Sequence, residues 1–139
     1  MDISRSWSAL MVVGWLLGVG LTAAMGWIHL QLWVDGFREV PVIGPLFLLN
    51  VIGAAALAVA LLVVPVRLLS AVAAVTAVFT AGTLACLILS LTVGFFGVQE
   101  SLQVPLVPTT LFVESAGVLL LVLIAILGPR SSRRPRRSA

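Results

Sequence analysis

With 139 residues, 61% of them hydrophobic and 9% charged, the chain has a mean hydropathy of +1.23. Soluble domains are about 25% charged, and a water-soluble fold of this size cannot bury so much apolar surface, so lipid must solvate it. The net charge of +3 gathers in an arginine-rich C-terminus with no interleaved aromatic residues, so the high pI is not a nucleic-acid signal.

Residues 6–34, 40–66, 68–99 and 101–129 form four stretches without a formal charge except Glu114. Each exceeds the roughly 20 apolar residues that cross a bilayer as a helix. The expected architecture is an all-α integral membrane four-helix bundle over 1–128, followed by a disordered basic tail over 129–139.

Span one is expected over 9–33. Arg5 and the small residues Thr22-Ala23-Ala24 resemble a secretory signal, but the apolar run outlasts a typical signal core, so the span is read as retained. Gly14, Gly18, Thr22 and Gly26 recur every fourth residue and form a narrow groove along one side. Helices in lipid associate by close packing, so this groove marks a helix contact, within the chain or with another protein. Trp7 and Trp33 stand at opposite ends of the span, as interfacial anchors do.

Span two is expected over 46–64, closed by Pro65, with Asn50, Ala54 and Ala58 as a looser small-residue face. The very short link at 65–67 predicts that spans two and three form a tight antiparallel pair. Span three runs over 68–93 and ends at the Gly94 and Gly97 break. Thr76, Thr80, Thr83 and Ser90 share one of its faces, where hydroxyls usually bond back to their own helix carbonyls. Its lone Cys86 has no nearby cation and reads as an inert buried thiol. Span four is expected over 109–127, entered after Pro105 and Pro108 and ended by Gly128-Pro129. Starting it after Glu114 would leave only about 21 Å of helix against a hydrocarbon core of about 30 Å, so Glu114 belongs inside the span.

Arginine counting sets the orientation. Arg5, Arg67 and the five tail arginines fall on one side, and only Arg38 on the other, beside Asp35 and Glu39. Both termini are therefore expected in the cytoplasm, with loops 34–45 and 94–108 outside. The tail arginines suit an anionic lipid surface. Lysine is absent, a bias of GC-rich genomes, so the expected location is the plasma membrane of a bacterium.

His29, Asn50 and Glu114 fall at similar depth in the outer third of the membrane, where polar groups are costly and face inward to pair. Glu114 is expected to meet His29, Asn50 or a span-three hydroxyl such as Ser90. Arg38, returning from the first outer loop, is a further candidate. The first reading of that cluster is structural glue that locks four helices in register, and the second is a site for a proton, metal or ligand. One histidine and one carboxylate fall short of a four-ligand zinc site, and one histidine cannot supply both axial ligands of a haem. No metal or other cofactor is expected.

Between His29 and Asn50 lies a dense pattern of Gly36, Phe37, Arg38, Val40, Pro41, Ile43, Gly44, Pro45 and Phe47, a loop with fixed turns. Its spacing resembles a group of uncharacterised small four-span membrane proteins of GC-rich bacteria, over about the first 60 residues. That resemblance implies architecture and no activity. The four-span size is also similar to DoxX-like proteins, without a shared motif.

Two functions are carried forward. The first is a small non-enzymatic membrane protein, a subunit or accessory packing against other membrane proteins or a second copy of itself. The alternative is a small transporter, or a proton- or quinone-linked redox component, using His29, Asn50, Glu114 and Arg38. The residues argue against an enzyme, because no nucleophile, base and orienter stand together. Ser115 adjoins Glu114 but points about 100° away on a helix.

Overall fold

A computed structural model describes residues 3–129, with side chains from residue 9 onward. Residues 130–139 of the expected tail lie outside the described residues, and so do the side chains of Arg5 and Trp7. Four helices make the molecule: α1 (Ile3–Val34), α2 (Ile43–Val63), α3 (Leu69–Thr92) and α4 (Val107–Leu127). Each is long and apolar enough to cross a membrane. Among the described residues there is no strand, only an isolated bridge between Phe95 and Val98. The 21 residues of α2, like those of α4, extend about 31 Å. The loops after α1 and α3 gather at one end, here the loop end. The link between α2 and α3 marks the other, the link end.

Helices form because apolar side chains offer the backbone no competing polar partner, so its N–H and C=O groups pair within each segment. The helix ends are where this fails, and each is mended locally. Leu61 O would take the N–H of residue 65, but Pro65 has none. Trp15 Nε1–H of α1 donates to it instead, at 2.7 Å. Gly94, with φ 85°, ends α3 in the left-handed region that glycine tolerates, and its N–H reaches back to Leu89 O at 2.9 Å. Pro108 sits in the first turn of α4, where a missing N–H costs nothing.

Packing is uneven. The α1 groove is filled from within the chain: Leu120 lies over Gly14, Leu121 and Ile124 over Gly18, and Ala54 over Gly26. One face of α1 therefore seats α4 toward the link end and α2 toward the loop end. The closest approach is at Gly26, where a Cβ would fall 2.9 Å from that of Ala54. Two apolar cores result. Leu61, Ala73, Ala77, Leu121 and Ile124 close the link-end half. Met25, Ile28, Ala54 and Val113 occupy the loop-end half.

The tight pairing expected of spans two and three is not what forms. The extensive contacts are α1 with α2 and α3 with α4, while α2 and α3 share little surface. They meet where the Phe79 ring is seated on Gly53, so close that a Cβ there would lie 2.6 Å from Cζ of the ring. A short link joins two helix ends but does not hold their whole lengths together.

Candidate ligand-binding site

Between α2 and α3, toward the loop end, lies a cavity of about 420 Å³. Its walls are mostly apolar, with Phe47 from α2, Phe79 from α3 and Phe37 and Phe95 from the loops. Into this space the helices deliver three polar groups. His29 comes from α1, Asn50 from α2 and Glu114 from α4, and all three line the cavity. They are 7%, 4% and 0% exposed.

The hydrogen bonding is incomplete. His29 Nδ1 lies 2.9 Å from Met25 O, a carbonyl that can only accept. The proton is therefore assigned to Nδ1, and in the neutral ring the Nε2 lone pair is left toward Glu114. Nε2 stands 3.9 Å from Glu114 Oε1, beyond hydrogen-bond reach. Both oxygens of Glu114, and both Nδ2 and Oδ1 of Asn50, are buried without a hydrogen-bond partner among the described residues. The Thr83 hydroxyl faces the carboxyl but is oriented to donate to Thr80 O at 2.8 Å. A buried polar group without a partner costs about 1–3 kcal/mol, so four such atoms around one cavity call for a physical reason.

Of the other expected partners, Ser90 lines the same cavity, yet its hydroxyl donates to Val98 O at 3.0 Å. Its carbonyl accepts from Gln99 Nε2 at 3.0 Å and from Glu100 N at 3.1 Å. Ser90 thus pins the second loop across the end of α3 and brings Glu100 to the cavity. Partial burial pushes the Glu100 carboxyl above the ordinary carboxylate range. Arg38 does not join the cluster. It is exposed, and its Nε donates to Glu39 Oε1 at 3.0 Å. The other α3 hydroxyls behave as expected, Thr76 donating to Val72 O and Thr80 to Thr76 O.

The first loop roofs the site. Phe47 meets His29 edge-on, with ring centroids 5.0 Å apart at 78°, and Phe37 lies on Phe47 at 5.0 Å. Gly44 is required where the chain folds onto itself, since a Cβ there would fall 2.7 Å from Arg38 O and 2.8 Å from Phe37 O. Val42 holds φ 69° and ψ −51°, and Ile43 N donates to Pro41 O at 2.8 Å. This is a γ-turn of the rarer positive-φ kind, strained for a β-branched residue.

Sequence reasoning missed Phe79, Gly82 and the placement of Cys86, which line the cavity with Thr83 and Ser90. Their spacing of three and four puts them on one face of α3, a signal hidden among equally apolar neighbours. Comparison with protein-family models, curated proteins and solved structures gave no match.

Proposed function

We propose that this is a multi-pass membrane protein that binds an amphiphilic small molecule in the cavity between α2 and α3. The polar head of that ligand meets His29, Asn50 and Glu114, and its apolar body lies against the phenylalanines. One observation carries the reading: the carboxyl of Glu114 and the amide of Asn50 are buried and unpartnered at a cavity of about 420 Å³. That volume is the size of a small-molecule pocket. Donors and acceptors left open in an apolar wall fix a ligand's orientation and exclude an oil without polar groups.

This reading follows the ligand-site alternative of the sequence rather than the accessory-subunit one. The accessory role drew in part on the small-residue groove of α1, and α2 and α4 fill that groove. With both termini cytoplasmic, as the arginines suggest, the cavity lies in the outer leaflet of a bacterial plasma membrane. The bilayer covers the exposed apolar faces, Trp27 and Phe112 among them, and anionic lipid attracts the tail.

Native mass spectrometry of the full chain, extracted in mild detergent, tests the reading. A small amphiphilic molecule should remain bound and be released on activation. Gly82→Leu should lose it while the fold survives, because Gly82 lines the cavity with open space where a side chain would begin. Retention of the same molecule by Gly82→Leu, or no bound molecule under any extraction, contradicts it.

A further inference from the structure

Resting on that reading, we infer that the ligand is a hydrophobic organic cation, and that Glu114 neutralises it in exchange for one proton.

The charge balance of the cavity points to this class. Glu114 is 0% exposed, and among the described residues the one basic side chain that lines the cavity with it is His29. Arg38, the nearby arginine of the loop end, is turned outward to Glu39. The carboxyl therefore has no fixed cation to hold it ionised. A charge without a partner is not tolerated in an apolar cavity, so the site is stable only when its net charge is zero.

Two fillings satisfy that condition without a second proton. In the empty site the His29–Glu114 pair keeps one exchangeable proton, on the carboxyl or on His29 Nε2. When a cation enters, the proton leaves to water, and the carboxylate and the cation neutralise one another. Neutral His29 then keeps its Nδ1–H on Met25 O. An anionic ligand would bring the cavity to zero net charge only by uptake of a second proton, with His29 and Glu114 both protonated, so it would carry the opposite proton signature to a cation.

Independent features favour a cation over a neutral ligand. Phe37, Phe47, Phe79 and Phe95 line the cavity, and aromatic faces attract cations. The loop-end segments carry Asp35, Glu39 and Glu100 against Arg38 alone, and Glu100 itself lines the cavity. That excess of acid concentrates cations where they would enter. The groups that face Glu114 are His29 from α1, Asn50 from α2, and Thr83 and Cys86 from α3, with Glu100 on the same cavity. None of them except His29 is able to bear a positive charge.

The test uses the full chain in lipid nanodiscs, tetraphenylphosphonium as a permanent hydrophobic cation and a neutral short-chain quinone as its counter-probe. The cation should bind with release of a proton into weakly buffered solution. Its affinity should rise about tenfold per pH unit until the pair has lost its proton, then level off. Glu114→Gln should weaken binding at least tenfold and abolish proton release. Glu114→Asp should keep both, which separates loss of charge from loss of fold. Cation binding that ignores pH and Glu114→Gln, or binding of the quinone alone, overturns the cation while leaving the ligand site intact. Failure of both probes, together with no molecule retained in native mass spectrometry, removes the site itself.

Discussion

The link-end and loop-end halves of this bundle are built from the same oily residues and end differently. In the link-end half, Leu61, Ala73, Ala77, Leu121 and Ile124 close on one another. Its awkward backbone acceptor, Leu61 O, has Trp15 as donor. In the loop-end half, α2 and α3 part beyond the Gly53–Phe79 contact, and Asn50 and Glu114 are left facing a cavity. Small residues let helices approach, but approach alone does not close a core. Where side chains fill the gap the fold is complete. Where polar groups stay open, as at Asn50 and Glu114, the fold leaves a cavity with unmet hydrogen-bonding capacity.

The sharpest way to break this contrast is Leu121→Ala. Leu121 is 0% exposed in the closed half, so truncation should cost about 2–5 kcal/mol. Steady-state unfolding should read the loss, while ligand is still retained at the far end. If ligand is lost along with stability, the halves are one unit. Trp15→Phe keeps an aromatic body but orphans Leu61 O, and should cost about 1–3 kcal/mol in the same measurement. Asn50→Leu should act with the opposite sign. It removes two unpartnered buried atoms and should raise stability by about 1 kcal/mol while weakening ligand retention. A destabilised Asn50→Leu would mean that the amide serves as structural glue.

The smallest effect concerns pH. Partial burial raises the Glu100 carboxyl above its ordinary value, so the folded chain holds that proton more tightly than the unfolded chain. Its contribution is full below the unfolded value and is lost as pH rises through the folded one. Melting temperature should therefore fall slightly as pH is raised through the carboxylate range, and Glu100→Gln should flatten that slope. A slope of opposite sign would place Glu100 beside an unrecognised cation.

Much of this was legible in the residues, for identifiable reasons. Uncharged runs longer than a bilayer is thick leave no alternative to four long helices. Depth along each helix is enough to set His29, Asn50 and Glu114 at one level, since rise per residue is fixed. What the three groups do is not contained in that depth. Other features depend on angles that no periodicity encodes. The short link before Leu69 fixes the ends of α2 and α3 but not their splay. Ser90 lines the same cavity as Glu114, but the turn at Gly94 brings the Val98 carbonyl to its hydroxyl. Arg38 is held outward by Gly44 and the strained turn at Val42, whose backbone geometry no run of residue types spells out.

The central claim is that the Glu114 carboxyl faces an accessible apolar cavity rather than a sealed core. A hydrophobic carbodiimide, added to the full chain in lipid at mildly acidic pH, tests that most directly, with adducts mapped by mass spectrometry. The account predicts modification at Glu114 that Gly82→Leu suppresses, because the larger side chain fills the space the reagent needs. An unmodified Glu114, with the reagent found on Glu100 alone, would contradict it.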